Sequence, residues 1–371
     1  MKRYVYMKLT LYILFTYLLA LPVWSATYYV KPTGNNANSG LSDNLAWQTV
    51  QKGLSTAVAG DTVFIRAGTY SENSALADWA GMINYGFRPY NSGTAGNDIV
   101  FKGYPGDALP VILGVNSEIG GRMVAGLDSR SYIVFDSLHF KYGWRGIDAN
   151  NTHYITIRYC VIDSLMGTYD NSGCFTSVNS AAGNAVTNVL IENCDFSWVG
   201  KNGVWLDENA SAIHLYACSN MTFRNNHLHH VTVGVNLKQG SATRSENIQI
   251  YGNTINDVYI GVRLGGAGPF YNTVVRNNVF YNVTWQGLAG MGVGIGTPAN
   301  TTWPLSSVNS QVYNNTIDCG GVGYGLVSQM GNADSIFIFN NIIYNSARNA
   351  EYATGIGFKN EGATVTHVYE D

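Results

Sequence analysis

Lys238 and Arg263 stand in two look-alike phrases, Gly234-Val-Asn-Leu-Lys238 and Gly261-Val-Arg-Leu-Gly265. A lysine and an arginine on neighbouring units suit one reaction, β-elimination on a uronate. That reaction needs the carboxylate neutralised, the C5 proton removed, and the leaving oxygen protonated. A lysine serves as base when desolvation and nearby cations lower its pKa. An arginine or a divalent cation holds the carboxylate. These roles fall to Lys238 as base and Arg263 as clamp, with Asp207 and Glu208 as ligands for calcium. Lining up the glycine phrases puts Asp148, Phe175, Trp205, Asn236 and Arg263 in one outward column. Two residues further on the column reads Asn150, Ser177, Asp207, Lys238 and Gly265. Trp205 and Phe175 then offer faces for sugar rings, and Asn236 and Asp148 offer polar contacts.

His227, His229 and His230 are a second candidate, as general acid or base or as metal ligands. His227 shares a column with His139, Asp195 and Thr254, and His229 shares one with Lys141, Asp163 and Asp318. At most one histidine per coil predicts surface histidines rather than a metal cluster. His214 falls in a long connecting loop. A hydrolase would need two carboxylates ~5–10 Å apart. Asp163 and Asp195 on neighbouring units meet the residue type, but no Gly-His-Gly motif is present.

The elements that position these residues come from a repeat. The phrase apolar, two residues, Asn, one residue, apolar recurs with its Asn at 226, 253, 278, 315 and 341. Earlier copies put Leu138, Cys160 and Cys194 in that slot. Short alternating apolar runs ending at Asn or Gly are strands, and units of this length that bury themselves against one another form a solenoid. The fold class is therefore all-β, a single-stranded right-handed parallel β-helix with coils ~4.8 Å apart. The slot Asn tolerates a left-handed backbone at a corner, and its amide can bond the next slot. Cys160 and Cys194 continue that stack, either as a disulfide or as packed thiols. Five cysteines with no CxxC pair make no disulfide framework. Long insertions at 177–186, 207–218 and 297–307 should rim the binding face.

Residues 1–25 read as a signal peptide: Lys2, Arg3 and Lys8 precede an apolar run over 9–21 that is too short for a span. Residues 26–120 are an N-terminal cap with the first coils, including one short amphipathic helix over Trp47–Val58 that plugs the open end. Residues 121–371 carry the repeats. No polar cap follows Phe358, which predicts either a truncated chain or a last coil capped by a partner.

Tyr28-Tyr-Val-Lys-Pro-Thr-Gly-Asn35, Trp47-Gln-Thr-Val-Gln51 and Ala59-Gly-Asp-Thr-Val-Phe-Ile-Arg-Ala-Gly-Thr-Tyr70 resemble the opening of many secreted β-helix proteins. These are the pectate-lyase-like superfamily, nearest in style to the alginate lyase and chondroitinase B family. The resemblance implies a polysaccharide lyase, and the Lys238–Arg263 pairing is similar to that family's lysine and arginine on neighbouring coils. The chain departs from it in having Val233 and Asn236 where an acidic calcium ligand is usual, and Leu264-Gly265 where His-Gly is usual.

Charged residues are 12% of the chain, roughly half the usual ~25%, which excludes charged coiled coils. Hydrophobic residues at 46% exclude disorder. The net charge of −3 argues against a nucleic-acid partner. The expected protein is a monomer, secreted, periplasmic or on the cell surface, without a membrane span after the signal, and acting on an acidic polysaccharide. Its rivals are a non-catalytic glycan-binding or structural β-helix and a glycoside hydrolase.

Overall fold

The computed structural model describes residues 25–71, 84–114, 122–166, 171–177, 185–200, 210–239, 245–266, 270–285, 288–295, 307–330, 333–346, 356–360 and 368–370. Each repeat copy alternates apolar and polar residues, so one set of side chains turns inward on every strand. Successive copies pair in parallel and in register. Ile155 lies between Ile133 and Val189, and Phe223 between Ile191 and Ile250. The result is a 12-stranded parallel sheet running from Thr27–Val30 to Val368–Glu370.

A second, 18-stranded sheet branches into two ladders. The branching arises because Thr254–Gly266 and other long strands turn a corner without breaking. The first half of His227–Gln239 pairs with Asp195–Ser197 and its second half with Ser211–Tyr216. Parallel crossovers are right-handed, so the coils wind as the repeat predicts. The core runs the length of the rod as stacked rows. One is Phe140, Ile162, Phe196, Leu228, Ile255, Phe280 and Ile317, each at most 2% exposed. Burying one such side chain contributes about 1.5–3 kcal/mol.

The slot asparagines form an unbroken ladder. Nδ2 of Asn226, Asn253, Asn278 and Asn315 donates to Oδ1 of Asn253, Asn278, Asn315 and Asn341 at 3.0, 2.9, 3.0 and 2.9 Å. The slot residue is not the left-handed one, however. That conformation belongs to the residue before it: Asn225, Gly252, Asn277, Asn314 and Asn340 have φ of 55°, 68°, 54°, 54° and 53°. The pair divides the labour, the first residue turning the chain and the second tying the coils. Cys160 and Cys194 continue the ladder as thiols, and all five cysteines are free and buried. Cys160 Sγ donates to Arg158 O at 3.3 Å and Phe135 O at 3.6 Å, taking the same two kinds of carbonyl that Asn315 takes at Tyr313 and Val275.

The cap helix is Val50–Thr56, shorter than expected. Trp47 bridges to Val30 as a strand residue, and Ala57 is extended, so both ends are trimmed. Thr49 caps it by accepting from the Lys52 N–H at 3.3 Å. It sits so close to the first coil that a Cβ at Gly53 would lie 2.8 Å from Val63 Cγ1. Among the described residues no helix is long and apolar enough to cross a membrane.

Candidate functional site

The ladder that follows the corner carries the predicted column, with corrected members. Its register runs Asp148, Thr176, His214, Asn236, Arg263 and Gly294. Phe175 pairs with Ile147 and Ile213, points inward, and is completely buried. It is a core residue and cannot face a sugar. Counting from Gly173 as the equivalent of Gly146 slips the strand by one, which turns every side chain to the other face. Trp205, Asp207 and Glu208 lie outside the described residues. The strand that fills their coil is Ser211–Tyr216, which brings His214 out of the expected loop and into the column beside Asn236.

Arg263 stands directly opposite Asn236, and Lys238 is two residues along, opposite Gly265. Both cations are partly exposed. Glycines flank them on the next coil, Gly265 beside Lys238 and Gly294 beside Arg263. A Cβ at Gly294 would meet nothing nearer than 3.7 Å, although Gly294 and Gly265 are themselves buried. Lys238 Nζ lies 5.8 Å from the centre of the Tyr216 ring, and that ring stacks on His214 at 5.4 Å. Asn236 is fully buried. Its Nδ2 donates to Ser211 Oγ at 3.3 Å, while Oδ1 finds no hydrogen-bond partner among the described residues. A buried acceptor left in this way is costly unless a ligand supplies a donor.

Asp148 heads the column but is fully buried and so does not reach a ligand at the surface. Its Oδ1 accepts from Arg145 Nη1 at 3.0 Å and Thr176 Oγ1 at 2.7 Å, and its Oδ2 from Asn150 Nδ2 at 2.7 Å. Burial raises its carboxyl above the ordinary range, and the Arg145 guanidinium only partly offsets that. Asp148 therefore fixes Arg145 and the upper end of the column.

The three histidines are not spread one to a coil. His227, His229 and His230 share a single strand, and Asp195 from the preceding coil reaches both His227 and His229.

Residues 145–302 match a family model described as a right handed beta helix region. A pectate lyase of Emericella nidulans is 27% identical over 145 residues, 36% of this chain and 32% of that protein. The chain thus spans about a third of the curated relative it matches. An alginate lyase from Paenibacillus sp. superposes with a TM-score of 0.58 at 14% identity, covering 86% of this chain and 96% of the other. The fold is a right-handed parallel β-helix. A lacto-N-biosidase from Eubacterium ramulus superposes at 0.56 and 12% identity, over 93% of this chain and 68% of the other. Endopolygalacturonase I from Stereum purpureum superposes at 0.51 and 14% identity, over 84% and 90%. Lyases and hydrolases share this β-helix, so the reaction must be argued from side chains.

Sequence reasoning missed Thr176, Tyr216 and Arg145, and left His214 in a loop. The strand Ser211–Tyr216 alternates Ile213 and Leu215 with His214 and Tyr216, and that period of two was the available signal. It lacks the glycine head that marks the other copies.

Proposed function

We propose that this chain is an exported polysaccharide-active β-helix protein that binds an acidic polysaccharide along the ladder after the corner and cleaves it by β-elimination. The observation that carries the reading is the placement of Lys238 and Arg263 on adjacent coils, both partly exposed and each paired with a glycine of the next coil. Coils ~4.8 Å apart put the two cations within reach of one uronate. Arg263 holds the carboxylate and disperses the charge that builds on it as C5 loses its proton. Lys238 in its neutral form takes that proton, the C4–C5 double bond forms as the C4–O bond breaks, and the resulting ammonium returns a proton to the leaving oxygen. Asn236, as fully buried as Asp148, holds the column together through Ser211 rather than touching the sugar. The lyases among the fold's relatives support this class of reaction.

Calcium on Asp207 and Glu208 belongs to the same proposal and is tested by chelation with EGTA. The signal-like segment 1–25 carries the proposal of export.

The test is a panel of alginate, pectate and glycosaminoglycans, followed by the ultraviolet absorbance of an unsaturated uronate. Absorbance that disappears in Lys238→Ala and Arg263→Ala supports the reading. New reducing ends without absorbance favour the hydrolase, and binding without either product favours the non-catalytic glycan binder. Lyase activity that survives in Lys238→Ala removes Lys238 as the base.

A further inference from the structure

We infer that Asp195, His227 and His229 form a binding site for a divalent transition metal of the zinc class, on the ladder before the corner and separate from Lys238 and Arg263. The ligand atoms converge. Asp195 Oδ2 lies 3.0 Å from His227 Nδ1, and Asp195 Oδ1 lies 3.1 Å from His229 Nε2. One donor atom from each residue falls within 4.8 Å of the other two. The convergence follows from strand geometry. His227 and His229 are two apart on one strand, so they share a face, and their rings stack at 4.1 Å, tilted by 22°. Asp195 pairs with His227 across the coils and reaches both. All three are half-buried, open enough for an ion to enter.

The surroundings fix which nitrogens point inward. His227 Nε2 lies 2.8 Å from Asn256 Oδ1. The orientation of Asn256 is set by its own Nδ2, which donates to Asp257 Oδ2 at 2.5 Å. In the singly protonated ring His227 then carries its proton on Nε2, and its Nδ1 lone pair faces a carboxylate oxygen, an arrangement that a metal ion can bridge in place of a second ring proton. His229 has the matching arrangement, with Nδ1 lying 2.6 Å from His230 Nδ1. When His229 donates there, its Nε2 lone pair also faces Asp195. His230 is held in place by stacking on Trp198 at 4.1 Å. Metal-bound histidines ordinarily hand their other ring nitrogen to such a partner.

The donor set chooses the ion. Two imidazoles and one carboxylate suit zinc and its neighbours, whereas calcium takes an all-oxygen shell. Three protein ligands leave a fourth position for water or for an oxygen of a bound sugar.

The experiment is titration of the chelator-treated full chain with Zn²⁺ and Co²⁺, by calorimetry and by the visible spectrum of the cobalt form. The expected result is one site per chain, a tetrahedral-type cobalt spectrum, and no displacement by excess Ca²⁺. Asn256→Ala should weaken binding ~10–100-fold as an outer partner, and His227→Ala, His229→Ala or Asp195→Asn by more than that. The imidazole nitrogen resonances of the wild-type chain give a readout that needs no variant. Zn²⁺ should move His227 Nδ1 and His229 Nε2 and leave His214 in place. Binding equally tight in a His227→Ala/His229→Ala chain, a cobalt spectrum of octahedral oxygen type, or unmoved His227 and His229 resonances would overturn the inference. In that case the cluster is a histidinium–carboxylate ion pair.

Discussion

Asn253 gives both its side-chain amide and its backbone N–H to a single oxygen, Oδ1 of Asn278, at 2.9 and 3.0 Å. Asn278 repeats the arrangement on Asn315 and also donates to the carbonyl of Ile250 at 3.0 Å. Asn278→Ala strips partners from several groups that water cannot reach. At about 1–3 kcal/mol for a buried group left unsatisfied, the variant should lose about 2–5 kcal/mol in equilibrium unfolding by urea. A loss within error of zero would mean that the ladder decorates the rod rather than holding it.

A second asparagine row runs along the outside of the 12-stranded sheet. Asn247 donates to Asn220 at 3.1 Å and accepts from Asn272 at 3.2 Å. Its φ is 57°, and Asn188, Asn220, Asn272 and Asn309 are left-handed as well. Here the backbone conformation matters more than the exposed bonds. Asn247→Gly should leave the unfolding midpoint nearly unchanged, while Asn247→Val should cost about 1–2 kcal/mol. Equal effects from the two substitutions would count against the backbone as the cause.

Arg145 and Asp148 are a buried ion pair at 3.0 Å, with side chains 5% and 0% exposed. Removing one partner strands the other charge. Arg145→Ala should therefore destabilise by about 3–5 kcal/mol, whereas Arg145→Met with Asp148→Leu should cost far less. Thermal unfolding of the three chains distinguishes a stranded charge from simple loss of packing, which predicts the double variant to be the worst.

Asp163 supplies a dependence on pH. Burial pushes its carboxyl up, but hydrogen bonds from His139 and Ser164 and the charges of His139 and Lys141 outweigh that and hold it at about 2. His139 Nε2 lies 2.8 Å from Oδ2, and Lys141 Nζ 3.4 Å from Oδ1. A carboxyl depressed in the folded state below its ordinary ~3.9 stabilises the fold fully above that value. The contribution, about 2 kcal/mol, is lost as pH falls from ~4 towards ~2. Asp163→Asn should flatten that part of the stability profile, and a profile of unchanged slope would assign the acid sensitivity elsewhere.

The solenoid was legible because its signal repeats: one slot, returning through most of the chain, specifies both the ladder and the inward rows. The candidate site was less so. Asn236, Lys238 and Arg263 were placed correctly relative to one another because their two phrases match residue for residue. Phe175 was misplaced because Gly173 is not the structural equivalent of Gly146, and a period of two forgives no slip. His214 was hidden by a strand without a glycine head. The histidines were in view as metal-ligand candidates, with His227 and Asp195 in one column, but their convergence was not. Its geometry depends on two residues of one strand sharing a face with an aspartate from the coil before, and column counting treats such residues as separate rows.

The chain between successive slot asparagines varies widely: 25 residues from Asn253 to Asn278 and 37 from Asn278 to Asn315. The bonds that join them stay at 2.9 and 3.0 Å all the same. Spacing along the rod is thus independent of what bulges from it. Segments between the tie points can be lengthened, trimmed or exchanged without disturbing the positions of Lys238, Arg263 or the histidines. Selection for a new ligand can rebuild the walls while the floor stays where it is.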